Sequence, residues 1–181
     1  MEERLISAGF GGQGVLFIGK LLIQAGMKAG KEVSWIPSYG PEMRGGTANC
    51  HVIVSDEEIG SPLIDHPTSV IAMNRPSMEK FAPKIKKGGL LVINSSMVDV
   101  EPKRKDIQVV KIRANDVARE LGNEKVANMV AMGAYLAASR VLPLETIMNS
   151  LPEVLKGKEH LLEVNKNALK KGFKLGEKHE P

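Results

Sequence analysis

The sequence contains one cysteine, Cys50, among 181 residues. A lone thiol excludes an internal disulfide, and it excludes an iron–sulfur cluster held by this chain's own cysteines, because such clusters need several thiolates. Aromatic residues make up only 4% of the chain, so few rings are available for the base stacking by which proteins bind single-stranded nucleic acid. No apolar run reaches the roughly 20 residues that span a bilayer. These absences disfavour nucleic acid and a membrane as partners.

The bulk composition is that of a soluble globular protein. Apolar residues form 43% of the chain and charged residues 25%, and the length fits a single domain over residues 1–181. The net charge is +4, with the basic residues spread along the chain rather than concentrated in one patch. The opening residues, MEER, do not resemble a signal peptide. We therefore expect a cytoplasmic location.

The pattern of apolar segments predicts an α/β fold. The strand at Arg4–Ala8 is followed by the glycine loop GFGGQG and a helix over Val15–Ala29, which Gly30 ends. A second strand over Glu32–Pro37 would complete a βαβ unit, in which the two strands form a parallel pair. Strands continue to alternate with helices along the chain. We therefore predict a three-layer α/β/α sandwich with a mostly parallel, Rossmann-like sheet.

The second half of the chain supplies further elements of the same kind. Strands are expected in TANCHVIVSD, SVIAM, GGLLVINSS and DIQVVKIRA, and helices in PSMEKFAPKI, NDVARELG, KVANMVAMGAYLAASRV and the two C-terminal segments. For the NDVARELG helix, Asn115 is the predicted N-cap and Gly122 the predicted stop. The helix KVANMVAMGAYLAASRV is rich in small residues, which suits close packing in a core or at an interface.

The glycine loop has the spacing of a phosphate-binding turn. Gly9, Gly11 and Gly14 fall in a G-x-G-x-x-G pattern between a strand and a helix, and Gly12 adds a fourth permissive position. Glycines let backbone amides approach a phosphate, and the helix N-terminus adds its partial positive charge. The alternative is a glycine turn that serves packing alone.

The residues around the loop disfavour two common classes of ligand, dinucleotides and the nucleotides bound by Walker motifs. A dinucleotide site needs an acidic residue at the end of the second strand, but that strand ends in WIPSYG, and Glu32 lies at its start. No Lys-Ser or Lys-Thr pair completes a Walker pattern either. Lys20, two turns into the helix, is either a lysine that reaches back to a phosphate or an ordinary surface lysine.

A second loop, SYGPEMRGG, follows the second strand at the edge where open α/β sheets bind ligands. Arg44 can grip a phosphate or carboxylate with its planar fork, and Gly45 and Gly46 let the backbone come close. The alternative is a surface turn with a solvated arginine.

Four segments together resemble the gamma subunit of 2-oxoacid:ferredoxin oxidoreductases, the pyruvate, 2-ketoisovalerate and 2-oxoglutarate enzymes, and the related domain of indolepyruvate oxidoreductases. They are GFGGQGVLFIGKLL, SYGPEMRGGTANCHVIVSD, GSPLIDHP and NEKVANMVAMGAYLA, which occur in the family's order over nearly the whole chain. The resemblance implies an accessory subunit that helps bind coenzyme A and assemble the complex. The implied cofactor-binding residues are Gly9, Gly11, Gly12, Gln13, Gly14, Lys20, Arg44, Gly45, Gly46 and Asn128.

The resemblance also implies which components lie on other chains. Thiamine diphosphate with its magnesium ion belongs to alpha and beta subunits, and iron–sulfur clusters belong to a delta subunit that passes electrons to ferredoxin. The residues agree, since we find no GDG motif of a magnesium–thiamine site, no metal-ligand spacing among the histidines, and no catalytic residue. Asn128 has a structural alternative as a helix cap or an interhelical hydrogen bond.

The isolated chain is therefore expected to be inactive. The alternatives are a stand-alone nucleotide-binding oxidoreductase and a purely structural subunit. The sequence leaves open which 2-oxoacid is used, whether the isolated chain is a monomer or a homodimer, and whether the two loops bind ligand or only partner subunits.

Overall fold

The computed structural model describes residues 1–39 and 46–179. In these residues, six strands form one mixed sheet in the order β2-β3-β1-β4-β5-β6. The strands are β1 (Glu2–Phe10), β2 (Glu32–Tyr39), β3 (Thr47–Ser55), β4 (Ser69–Ala72), β5 (Leu90–Asn94) and β6 (Gln108–Ile112). Helices pack on both faces of this sheet, which confirms the predicted α/β fold class.

The α-helices of the described residues follow the predicted segments closely. They are α1 (Val15–Lys28), α2 (Arg75–Phe81), α3 (Ala114–Glu120), α4 (Ala127–Ser139), α5 (Leu144–Val154) and α6 (Leu162–Gly176). Gly30 and Gly122, the predicted helix stops, both have positive φ angles, of 69° and 80°. None of the helices in this part of the chain is long and apolar enough to cross a membrane.

The predicted parallel pairing of β1 with β2 is wrong. β3 lies between the two strands and is antiparallel to both, so that Val52 of β3 pairs with Leu5 on one side and with Trp35 on the other. Chain connectivity explains the difference, because the segment from β2 to β3 is short enough to return β3 alongside β2 as a hairpin. The pairs β1–β4, β4–β5 and β5–β6 are parallel, as the Rossmann-like pattern predicts.

The sheet separates two cores of unequal size. β4 and β5 are buried along their whole length, as expected for central strands covered on both faces. Neighbouring residues of β1 point to opposite sides: Leu5 packs in the core that contains α1, α3, α4, α5 and α6, whereas Ile6 packs in the core that contains α2. Connections that leave neighbouring strands can therefore reach different faces of the sheet.

The small residues of α4 serve packing inside the protein. A Cβ atom placed on Gly172 of α6 would lie 2.0 Å from the carbonyl oxygen of Val130, and one on Gly133 of α4 would lie 2.2 Å from that of Leu169. The backbones of α4 and α6 therefore touch, which no larger residue at these two positions would permit. Eleven residues of α4 are buried in this arrangement. Core packing accounts for the small-residue pattern of the helix.

The close contact of α4 and α6 gives a stability prediction. In Gly172→Ala the new methyl group overlaps the Val130 carbonyl, and the overlap outweighs the gain in helix propensity, so we expect the free energy of unfolding to fall by about 2 kcal/mol. Chemical denaturation followed by circular dichroism measures the change. Gly60→Ala is the matched control, because nothing lies within 4 Å of its Cβ position. Equal stability of the two variants would contradict the contact.

Candidate functional site

The carboxyl ends of β1 and β4 flank a crevice at one edge of the sheet. The two strands are parallel neighbours, but β1 leads into α1 on one face and β4 leads into α2 on the other. Such a divergence opens a crevice between the strand ends, and this is where open α/β sheets bind ligands. A cavity of about 180 Å³ lies there, with Gly12, Gln13 and Met73 among its lining residues. The glycine loop thus borders the expected ligand position.

The start of α1 has backbone amides without partners. Gly14 is the N-cap with a φ of 73°, no side chain caps the helix, and its first turn has no acidic residue. No acceptor in residues 1–39 or 46–179 pairs with the amides of Gly12, Gly14, Val15 and Leu16. The partial positive charge of the helix N-terminus is therefore uncompensated, an arrangement that favours an anion.

Three glycines of the loop, Gly9, Gly12 and Gly14, differ in what requires a glycine at their positions. Gly12 has a φ of 95°, is exposed, and has nothing within 4 Å of its Cβ position, so it leaves the mouth of the crevice open. Gly14 needs its positive φ, and a Cβ there would lie 2.4 Å from Nδ2 of Asn128. Gly9 is buried in β1, where a Cβ would meet Gln13 and Val15. Gly9 thus serves packing, while Gly12 and Gly14 shape the loop.

Gln13 braces the loop from beneath. Its Oε1 accepts hydrogen bonds from the Phe10 amide at 2.7 Å and from Nδ2 of Asn74 at 3.2 Å, and its Nε2 donates to the Met73 carbonyl at 3.2 Å. Oε1 must be the acceptor because the Phe10 amide can only donate. The side chain predicted to bind cofactor is thus engaged with β1 and with the residues that follow β4. Its position fixes the loop against the crevice.

Asn128, which the resemblance implies as a cofactor-binding residue, lies beside the loop, and its contacts are internal. Its Nδ2 donates to the Gly14 carbonyl at 3.2 Å, its Oδ1 accepts from the Met129 amide, and its side chain is buried. These bonds tie the first turn of α4 to the N-cap of α1. The interhelical hydrogen bond that the sequence left as an alternative is therefore present.

The second predicted loop joins the site through Gly46. The Gly11 amide donates to the Gly46 carbonyl at 2.9 Å, so the residue that precedes β3 lies directly against the glycine loop. Arg44 and Gly45, the other predicted residues of this loop, lie outside the described residues. The structure thus brings Gly9, Gly11, Gly12, Gln13, Gly14, Gly46 and Asn128 together at one edge of the sheet.

Lys20 is placed away from the loop. Its Nζ lies 5.5 Å from the centre of the Trp35 ring, a cation–π contact at the surface of α1. Trp35 pairs with Val52, which in turn pairs with Leu5, so Trp35 lies level with a residue four positions before the glycine loop. The surface role that the sequence left open for Lys20 fits this placement better than a phosphate contact.

Two residues of the crevice were missed by the sequence reasoning. Asn115 was predicted as the N-cap of α3, but α3 begins at Ala114 with Arg113 as its N-cap, so that prediction is wrong. Asn115 lines the cavity instead, as does Lys125 from the short 3-10 helix Glu124–Val126. A usable signal existed for Asn115, because polar residues just after a parallel strand gather at the ligand-binding edge.

Two further titratable side chains, those of His51 and Cys50, are buried to different degrees. In the described part of the chain, no three metal-binding side chains lie close enough together to hold an ion. His51 is half-buried on the face of α2, where burial and then the charge of Lys84 lower its pKa. The Cys50 thiol is fully buried and donates to the Val15 carbonyl at 3.4 Å, and burial raises its pKa to about 11.

Burial of Cys50 gives a prediction about its reactivity. At about pH 8, a pKa of about 11 instead of 9.0 lowers the thiolate fraction about a hundred-fold. We expect Ellman's reagent to react with Cys50 at least that much more slowly in the native chain than in guanidinium chloride. The lone cysteine makes the absorbance change specific, and Cys50→Ala supplies the blank. Similar rates in the native and unfolded chain would show that the thiol is accessible.

The chain is similar to known proteins over nearly all of its length. A profile described as pyruvate ferredoxin/flavodoxin oxidoreductase matches residues 4–175. Ketoisovalerate oxidoreductase subunit VorA of Methanothermobacter marburgensis is 36% identical over 172 residues, which are 94% of this chain. The same match is 36% of the relative, so this chain spans about a third of that protein's length.

Two solved structures share the fold closely. The gamma subunit of keto/oxoacid ferredoxin oxidoreductase from Geobacter sulfurreducens has a TM-score of 0.83 and 28% identity, with 96% of this chain and 98% of that chain covered. The 2-oxoglutarate:ferredoxin oxidoreductase of Magnetococcus marinus, solved with 2-oxoglutarate, coenzyme A and succinyl-CoA bound, has a TM-score of 0.85 and 27% identity, with 98% of this chain and 31% of that chain covered. The profile match over residues 4–175 shows that this chain belongs to the pyruvate ferredoxin/flavodoxin oxidoreductase family.

Proposed function

We propose that this chain is the gamma-type accessory subunit of a 2-oxoacid:ferredoxin oxidoreductase complex, and that its glycine loop holds phosphate groups of coenzyme A. The observation that carries the proposal is the set of four amides at the start of α1, those of Gly12, Gly14, Val15 and Leu16, which have no acceptor among the described residues. Four donors at an uncompensated helix N-terminus suit a phosphoryl group. The similar enzyme of Magnetococcus marinus was solved with coenzyme A bound.

Arg44 is close in sequence to Gly46 and can add a positive charge to this site. Gly46 is hydrogen-bonded to Gly11, and Arg44 is two residues before Gly46 in the sequence; two residues of chain span at most about 7 Å. A guanidinium group on a flexible stem can reach a phosphate on the glycine loop from that distance, and it binds phosphate through two parallel hydrogen bonds. In the proposal, Arg44 neutralises a phosphate group of coenzyme A beside the loop.

The sheet topology disfavours a stand-alone dinucleotide oxidoreductase. In a dinucleotide site, the carboxylate at the end of the second strand reaches the ribose because that strand is the neighbour of the first. Here β3 separates β2 from β1, which places β2 about 10 Å away from β1. Glu32 pairs with Ser55 at the opposite edge of the sheet from the glycine loop. Neither the end of β2 nor Glu32 at its start therefore supplies a carboxylate that could bind the ribose.

The proposed contribution to the reaction is positioning. When the phosphate end of coenzyme A is fixed, its thiol is held at a constant distance from the loop, and the reaction with an acyl group on a neighbouring subunit loses less entropy. Thiamine diphosphate, magnesium and iron–sulfur clusters are assigned to the alpha, beta and delta partner subunits, with ferredoxin as the electron acceptor. The residues of this chain bind and orient the cosubstrate, and they form no covalent intermediate.

The test is Arg44→Ala in the complex that co-purifies with this chain. Loss of a charge-assisted, bidentate contact costs about 1.5–3 kcal/mol, so the KM for coenzyme A should rise about ten- to a hundred-fold. The KM for the 2-oxoacid and the subunit composition should stay the same. Lys171→Ala is the matched control, because it removes one positive charge from the exposed surface of α6.

The same experiment separates the structural alternative. If the loops only join partner subunits, Arg44→Ala weakens assembly, measured by size-exclusion chromatography, and leaves the KM for coenzyme A unchanged. That result would contradict the proposal. Identification of the co-purifying chains by mass spectrometry tests the assignment to this class of complex independently.

A further inference from the structure

Behind the crevice beside the glycine loop lies an asparagine whose orientation is fixed by its hydrogen bonds. Asn94 is fully buried at the end of β5, and its Oδ1 accepts from the Ala114 amide at 3.2 Å. Because an amide nitrogen can only donate, Oδ1 is fixed as the acceptor and Nδ2 as the donor. Nδ2 then donates to the Met73 carbonyl at 3.2 Å and to Oδ1 of Asn115 at 2.7 Å. The carbonyl of Met73 confirms the assignment, because it can only accept.

The orientation of Asn94 determines that of Asn115. Since Oδ1 of Asn115 is occupied as an acceptor, its NH₂ group is the half of the amide that remains. That NH₂ has no acceptor in the described part of the chain, and the residue lines the cavity beside Gly12. The NH₂ group is therefore available to an acceptor that a ligand brings into the cavity. Asn115 therefore presents two hydrogen-bond donors to the crevice.

Lys125 supplies positive charge to the same cavity. No ion pair or hydrogen bond of its ammonium group occurs among the described residues, and the residue is exposed at the cavity rim. Glu124 also lines the cavity, but its Oε1 accepts a hydrogen bond from Nε of Arg119 at 2.7 Å. The neighbouring guanidinium thus offsets the one carboxylate, and the crevice keeps the charge of Lys125.

We propose that Asn115 and Lys125 bind the diphosphate of coenzyme A in the crevice between β1 and β4; this assignment rests on the function proposed above. The cavity of about 180 Å³ is below the 300–1,000 Å³ of complete ligand pockets, so it suits one phosphate-bearing part of a larger ligand. Its donors are the Gly12 amide, the Asn115 NH₂ group and the Lys125 ammonium group. A diphosphate supplies only acceptors and negative charge.

In this proposal, the two phosphate units of coenzyme A lie on opposite sides of the glycine loop. Gly46, the residue that precedes β3, lies on the β3 side of the loop. Asn115 and Lys125 lie on the β4 side. Coenzyme A carries two separate phosphate units, a diphosphate and a 3′-phosphate. The crevice at the helix N-terminus takes the diphosphate, which leaves the 3′-phosphate to the side of Gly46.

The experiment measures KM values in the co-purified complex with coenzyme A and with dephospho-coenzyme A, which lacks the 3′-phosphate. Asn115→Asp keeps an oxygen for Asn94 but replaces the NH₂ donor by a negative charge, and Lys125→Ala removes the cation. Each variant should raise both KM values by the same factor, about ten-fold. The matched controls are Asn167→Asp and Lys171→Ala on exposed positions of α6, which should change neither value.

The outcomes distinguish this inference from the function it rests on. If Arg44→Ala raises the KM for coenzyme A but Asn115→Asp and Lys125→Ala do not, the crevice assignment is overturned and the proposed function stands. If the two crevice variants affect coenzyme A but not dephospho-coenzyme A, the crevice holds the 3′-phosphate and the assignment is again wrong. If none of the three variants changes either KM, the proposed function itself fails. Thermal unfolding of each variant shows whether it is folded.

Discussion

The amides at the start of α1 are available because the polar groups around them are satisfied from within the protein. Gln13 binds the Phe10 amide and the Met73 carbonyl, and Asn128 binds the Gly14 carbonyl. In each of these bonds a side chain satisfies a backbone group of the loop or of a neighbouring strand, so the amides at the start of α1 are not used for that purpose. The first turn of α1 is thereby held open without a cap of its own. A rigid set of donors that have no acceptor among the described residues binds an anion at little cost in reorganisation.

The site is connected to the main core through α4. Asn128 in the first turn of α4 holds the N-cap of α1, while Gly133 further along the same helix touches the backbone of α6. The position of α4 is thus set by a contact that tolerates almost no displacement. Substitutions at the glycine contact are expected to act on the loop as well as on stability, because one helix belongs to both. On the side of the crevice formed by Asn115, the fully buried Asn94 fixes the structure through its hydrogen bonds to Met73, Ala114 and Asn115.

Much of the fold follows from local sequence patterns, and the exceptions have physical causes. The glycine loop between β1 and α1 is encoded by adjacent residues, so its spacing predicts both its place and its shape. The insertion of β3 between β1 and β2 is not encoded locally, because strand order depends on pairing energies between segments that are distant in sequence. The βαβ pattern therefore predicted a pair that the structure does not contain.

The residues of the site divide in a similar way. Glycines with a positive φ, Gly12 and Gly14, are recognisable from spacing alone, whereas the role of Gln13 depends on a partner sixty residues away. Asn115 was assigned to a cap from its neighbours in sequence, but its orientation is imposed by Asn94 across the sheet edge. Side-chain direction is set by tertiary contacts, which the order of residues does not reveal.

The most direct measurement is a titration of ¹⁵N-labelled chain with coenzyme A, followed by the amide resonances of the residues from Gly12 to Leu16. Anion binding at the start of α1 predicts large downfield shifts of these resonances that saturate with ligand, smaller effects with pantetheine, and little change along α6. Pantetheine lacks the phosphates and is the matched control. Saturable shifts confined to another surface, with the loop amides unmoved, would contradict the account.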